Sequence, residues 1–151
     1  MTEVVIRRAV ATDADAVRDL VQLAYAKYVP RMRRRPAPMD HDYRAVLQDT
    51  DSWVAELGAR LAGVVVTRPA IDHLLVENLA VAPDAQGTGI GPRLLDTAEQ
   101  HAIASGLAEV RLYTNELMTE NLAFYPRHGY RETGRAEQSG FRRVLFSKPV
   151  H

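Results

Sequence analysis

A chain of 151 residues with 46% hydrophobic content is long enough for one domain, burying about 68–70% of the surface its unfolded form exposes. Its 19 basic and 19 acidic residues cancel, leaving no global field to draw it to nucleic acid or an anionic membrane, so any electrostatic recognition has to be local. There is no cysteine, which excludes disulfides, thiolate metal sites and a cysteine nucleophile, and agrees with a cytoplasmic location.

The three apolar residues Val4, Val5 and Ile6 run into Arg7 and Arg8, too short for a signal-peptide core, and no later run could span a bilayer. A soluble chain with no membrane contact is expected. Residues 4–8 read as a strand, after which Thr12 or Asp13 can cap a helix. Its Val17, Leu20, Val21, Ala24 and Tyr28 keep the 3.6-residue period as far as Pro30. Residues 31–42 carry two prolines and four arginines and read as irregular and mobile, before Tyr43, Val46 and Leu47 suggest a short helical piece. Residues 52–56 and 60–67 are strand-like, rich in Val and Trp, and Leu57-Gly58-Ala59 between them has hairpin composition.

Residues 74–82 form a further strand of nearly continuous apolar character, fit for a central position, and Pro83-Asp84 stops it. Leu94, Leu95, Ala98 and Ala102 then give a helix a buried stripe that ends near Ser105-Gly106, with Pro92 tolerated in its first turn. Residues 109–114 read as a strand and 119–127 as a helix. Residues 130–135 and 142–147 read as closing strands around Gln138-Ser139-Gly140. Three consecutive strands early in the order imply antiparallel pairing in that half, with a parallel crossover confined to the middle: a mixed α/β sheet of the α+β kind.

Between the fourth strand and its helix stand Gln86-Gly87-Thr88-Gly89-Ile90-Gly91. Three glycines in five residues let the backbone approach a bulky anion, and the N–H groups entering the helix lack partners and point outward toward phosphate oxygens. A nucleotide triphosphatase loop needs a Lys-Ser or Lys-Thr that does not follow here. A dinucleotide loop needs its third glycine one position later.

The spacing is instead Q-x-x-G-x-G directly after Leu79-Ala80-Val81-Ala82-Pro83. Here the chain resembles the GNAT superfamily of acyl-CoA N-acyltransferases. The element order is similar over nearly the whole chain, and Asn121-Leu122-Ala123-Phe124-Tyr125 with His128-Gly129-Tyr130 resembles the family's second signature. The resemblance implies a largely antiparallel seven-stranded sheet with about four helices. It further implies acetyl-CoA as cosubstrate, held by Leu79, Ala80 and Val81, by Gln86, Gly87, Thr88, Gly89, Ile90 and Gly91 around the pyrophosphate, and by Asn121 on the pantetheine arm. Asn121 could equally serve as a helix cap beside Thr119.

Acetylation requires removal of a proton from an amine whose reference pKa is about 10.4 for a lysine side chain or about 8 for an α-amino group. The neutral amine attacks the thioester, an oxyanion is stabilised by backbone donors, and the leaving thiolate needs a proton. Tyr125 is the candidate acid, placed by resemblance beside the cofactor sulfur; the other reading is a core tyrosine with a bonded hydroxyl. Glu77 interrupts an apolar strand, where burial would suit it to act as base, directly or through water. Alternatively it pairs with an arginine or lies exposed at a splay in the sheet.

Asn115 and Asn78 could hold substrate or satisfy backbone groups. The resemblance also places Tyr25, Tyr28 and the 31–42 segment near the acceptor, where arginines could hold a carboxylate or aspartates attract an amine. The five histidines lack ligand spacing, so no metal is expected. The expected acceptor is a small primary amine attacked in a ternary complex, with nucleic acid excluded by the lack of interleaved aromatics and net positive charge, and a homodimer left open. A non-catalytic acetyl-CoA sensor and a peptide or protein N-terminal acetyltransferase are the alternatives.

Overall fold

The computed structural model describes residues 3–151. A seven-stranded sheet has the order β1-β2-β3-β4-β5-β7-β6, with β1 Val4–Arg8, β2 Asp51–Leu57, β3 Arg60–Pro69, β4 Leu74–Val81, β5 Glu109–Asn115, β6 Arg131–Gln138 and β7 Phe141–Pro149. Every pairing is antiparallel except β4 with β5, which are joined by a helical crossover. That is the mixed, largely antiparallel sheet expected from the sequence.

Five α-helices accompany it among the described residues: α1 Ala14–Tyr25, α2 Tyr28–Met32, α3 Tyr43–Asp49, α4 Ile90–Ala104 and α5 Thr119–Arg127. The sequence reading of about four ran α1 and α2 together. The chain breaks between Tyr25 and Tyr28 and resumes through Pro30, where a proline in the first turn lacks an N–H that has no intrahelical partner anyway. Asp13 occupies the N-cap position of α1, yet its carboxylate accepts from the Arg7 guanidinium at 2.9 Å and from Val10 N–H at 2.8 Å instead of capping the helix.

Residues 62–67 of β3 are all buried, so both faces of the sheet are covered there, and α1 and α4 pack against β3 and β4. Gly63 permits the close approach of α4: a Cβ there would stand 2.8 Å from Ile90 Cγ2 and from Leu94 Cδ1. At the far edge, β6 is exposed along nearly its whole length and charged, as an edge strand that resists further pairing should be. No helix among the described residues is long and apolar enough to cross a membrane.

Candidate active site

The centre of the sheet is incomplete. Strands β4 and β5 pair only where Leu74, Leu75 and Val76 face Val110, Arg111 and Leu112; beyond that point β4 stays with β3 and β5 with β7, and the two strands diverge. Residues 77–81 therefore present a backbone edge with no strand partner on the β5 side, and such groups need a partner when buried. The register across β3 skips as well: Val66 faces Asn78 and Thr67 faces Val76, leaving Glu77 as the extra residue of a β-bulge.

The glycine loop closes one end of this gap. Gly87 and Gly89 adopt φ of 82° and 87°, a left-handed conformation that L side chains resist, and Gly89 is the N-cap of α4. A Cβ on either would meet nothing within 4 Å, so open space lies beyond the loop, where an anion can approach the backbone. Gly91 faces Phe124 and Val81 instead, its missing Cβ lying 3.6 Å from Phe124 Cζ and 3.7 Å from Val81 Cγ2. The loop is braced internally by Thr88 Oγ1 donating to Ala85 O and by Gln86 Nε2 donating to Val81 O at 3.3 Å. Ile90 begins α4 and is buried against β3, so its side chain anchors the loop from beneath.

Two cavities open on either side of the gap. The larger, about 570 Å³, runs along residues 79–81, the three glycines, Phe124 and His128, with Lys27 and Arg127 on its walls. The narrower, about 60 Å³, is lined by Met32, Pro36, Pro38, Tyr113, Phe141 and Arg143 among others. Tyr25, Leu79, Asn121 and Tyr125 line both, so the cavities meet at these four side chains. The Tyr125 ring lies among Phe124, Tyr130 and Phe146, and burial pushes its phenol well above its ordinary value. Its hydroxyl has no hydrogen-bond partner among the described residues, and no buried side-chain polar atom among them is orphaned, so that oxygen faces open cavity.

The other expected residues divide. Glu77 lines the narrower cavity, but its dominant neighbour is Arg68, whose Nε lies 2.5 Å from Oε1, rather than apolar core; the arginine-paired reading describes its ground state. Asn78 is structural: its Oδ1 accepts from the Tyr25 hydroxyl at 2.6 Å, its Nδ2 donates to Tyr43 at 3.2 Å, and the Tyr43 hydroxyl donates to Pro38 O at 2.6 Å. This chain ties the proline-rich segment to β4, and burial pushes both Tyr25 and Tyr43 upward. Tyr28 lines the larger cavity, not the narrower one, and burial pushes its phenol up to about 12.

Asn115 lines the narrower cavity while its Oδ1 accepts from Leu117 N–H at 2.9 Å. Asn121 caps nothing; its Nδ2 donates to Thr114 Oγ1 at 3.0 Å. Met32, Pro36 and Pro38 of the 31–42 segment line the narrower cavity, whereas sequence reasoning missed Phe141 and Arg143, because nothing local in residues 141–149 distinguishes a cavity wall from an ordinary strand.

A family model described as "Acetyltransferase (GNAT) domain" matches residues 48–132, more than half of the chain. The chain belongs to the GNAT acetyltransferase family. The match takes in β2 through β5, the glycine loop and α5. Among curated relatives, N-acetyltransferase family 8 member 3 of Rattus norvegicus is 34% identical over 88 residues, covering 54% of this chain and 39% of that protein. N-acetyltransferase 8B of Homo sapiens is 30% identical over 105 residues, covering 66% and 46%. The chain thus spans less than half the length of these two relatives.

Solved structures share the fold at low identity. The PaiA N-acetyltransferase of Thermoplasma acidophilum in complex with coenzyme A has a TM-score of 0.80 at 15% identity, covering 98% of this chain and 99% of that one. A GNAT family acetyltransferase of Elizabethkingia anophelis with acetyl-CoA bound has a TM-score of 0.75 at 20% identity, covering 97% and 98%.

Proposed function

We propose that this chain transfers an acetyl group from acetyl-CoA to a small amine within a ternary complex. The observation that carries the proposal is the meeting of two cavities at Tyr125, where the parting of β4 from β5 leaves backbone groups without strand partners. Acetyl-CoA supplies the activated acyl group. Residues 79–81 offer their open strand edge to the amides of its pantetheine arm, as another strand would, with Asn121 beside them. The loop from Gln86 to Gly91 offers N–H groups to the pyrophosphate, Pro92 being unable to contribute one.

The amine enters from the narrower cavity and meets the thioester near Tyr125. Glu77, directly or through water, accepts the amine proton, with Arg68 Nε engaging its Oε1. The skipped register at Glu77 bends β4 next to the developing oxyanion, and a backbone N–H there stabilises it. The Tyr125 phenol, held protonated by burial, donates to the departing thiolate. With no cysteine in the chain, direct attack needs no acyl-enzyme intermediate.

The narrowness of the acceptor cavity favours a small amine over a peptide, which needs an open groove. Against catalysis stands one observation: the only carboxylate lining that cavity is already engaged by Arg68, as it could be in an acetyl-CoA sensor. Calorimetry with acetyl-CoA, followed by free-CoA release across amino acids, polyamines, aminated small molecules and peptides, tests the proposal. Binding with turnover on a small amine is expected. Binding without turnover on any class supports the sensor, and absence of binding sinks both.

A further inference from the structure

The narrower cavity carries a charge pattern that names the class of its acceptor, an inference resting on the transferase reading above. Its lining holds one acidic residue, Glu77, and one basic residue, Arg143. Glu77 is neutralised from outside the lining by Arg68. Arg143 is neutralised by nothing: no carboxylate among the described residues lies within 4.0 Å of it.

Several neighbouring arginines do have carboxylate partners. On the same hairpin, Arg135 pairs with Glu116 and Glu132, and Arg142 pairs with Glu116. In and beside the proline-rich segment, Arg31 pairs with Glu120 and Arg35 with Asp40. Arg33 and Arg34 have no ion pair there among the described residues, and Arg34 lies against a ring that lines the cavity: its guanidinium is 3.7 Å from the Phe141 ring centroid and reaches Ser139 O at 3.4 Å. Gly140 makes room for it, since a Cβ at that position would lie 2.8 Å from an Arg34 terminal nitrogen. The two arginines beside Phe141 therefore both lack a carboxylate partner among the described residues, whereas Arg31, Arg35, Arg135 and Arg142 each have one.

Stacking satisfies only the faces of these groups. The Arg143 guanidinium lies 4.3 Å from the Tyr113 ring centroid and 5.9 Å from that of Phe141, a cation held over aromatic rings in a fixed plane. A guanidinium has five N–H donors, and Arg143 spends one on Gln138 Oε1, leaving a planar edge of donors suited to a carboxylate. A half-buried, unpaired cation is costly until an anion joins it. Around it Met32, Pro36, Pro38 and Phe141 offer apolar surface, and no unengaged carboxylate is present to receive a second ammonium.

We infer that the acceptor is a small amine carrying an acid group, of the amino-acid kind with an apolar body. Arg143 takes the carboxylate, Arg34 adds attraction at the rim, and the amine is turned toward the junction at Tyr125. Polyamines and other multiply cationic amines are disfavoured by the same charge.

Leucine, leucinamide and spermidine serve as matched probes. Free-CoA release by the wild-type protein should favour leucine over leucinamide and leave spermidine poorest. Arg143→Gln should lower kcat/KM for leucine about 30-fold, the loss of a charge-assisted hydrogen bond, carried by KM rather than kcat. The leucine-to-leucinamide preference should fall toward one, a ratio in which the different pKa values of the two amines cancel between proteins. Arg143→Lys should recover part of the preference and Arg34→Gln lose a smaller part.

Calorimetry of leucine and leucinamide against the CoA-saturated protein separates this inference from the transferase reading. Leucine binding that Arg143→Gln abolishes, without CoA release, upholds the anion site and removes the transferase. CoA release that favours leucinamide or spermidine, or a preference untouched by Arg143→Gln, overturns the anion site and leaves the transferase standing. Failure of leucine to bind or react overturns the inference outright.

Discussion

The two sides of the central gap are built from different material. On the side proposed for the cofactor the surface is mostly backbone: an open strand edge over 77–81, two left-handed glycines and the start of a helix. On the acceptor side it is side chain, drawn from residues as distant as Met32, Pro38, Tyr113 and Arg143 and held by a hydrogen-bonded run through Tyr25, Asn78, Tyr43 and Pro38. Backbone recognition tolerates most substitutions in the residues that provide it, except where a glycine conformation is required. Side-chain recognition changes with each residue, so specificity should be easy to alter on one side and difficult on the other.

The sharpest strain on this division falls at its boundary. Tyr125→Phe should lower kcat by about 10²–10³-fold while leaving acetyl-CoA affinity nearly unchanged, because the hydroxyl acts in the transition state; steady-state rates beside calorimetry check both halves. Unchanged kcat removes Tyr125 as the acid. On the cofactor side alone, Gly89→Asp should weaken acetyl-CoA binding by about 30-fold, since a negative side chain would enter the anion cradle at a φ that disfavours it. Gly89→Asn, which tolerates the same φ without the charge, should cost much less, and equal losses would show that backbone strain alone is responsible.

Glu77→Gln should lower the rate at neutral pH about tenfold. That deficit should shrink as pH rises toward the amine's own pKa, where no base is needed; a deficit constant with pH assigns Glu77 to positioning. The smallest effect belongs to Glu120, where Arg31 and Lys27 of the α1–α2 region join α5 beside the larger cavity. The Arg31 guanidinium holds its carboxylate down at about 2, below its ordinary 4.5. A depressed carboxylate stabilises the fold above its unfolded value and loses that contribution as pH falls through 4.5 toward 2. Thermal melts should therefore show Glu120→Gln lowering Tm by about 2 °C at pH 7 and by almost nothing near pH 2, small because the pair is exposed.

Legibility followed the same division. The strand order, the crossover and the glycine loop were readable because periodicity and turn chemistry are local, and the resemblance at Gln86–Gly91 and Asn121–Tyr130 rests on contiguous residues. The α1–α2 break was not readable, since Tyr28 continues the apolar period of α1 while the backbone does not. Glu77 illustrates a deeper limit. An isolated carboxylate in an apolar strand reads as buried, and only the pairing of β3 with β4 reveals that Arg68 is within reach. Arg143 had no signal at all, because an arginine's significance here lies in which carboxylates are absent around it.

The sheet is, in mechanical terms, two plates joined along a short seam. Strands β1 to β4 form one plate and β5, β7 and β6 the other, and the seam is the three residue pairs from Leu74/Val110 to Val76/Leu112, reinforced by α4, which packs against strands of both. The narrower cavity is lined from both plates, by residues 76–79 on one and by residues 112–115, Phe141 and Arg143 on the other. An acceptor lodged there would act as wedge and splint together, bearing on Glu77 of one plate and on the Arg143 wall of the other.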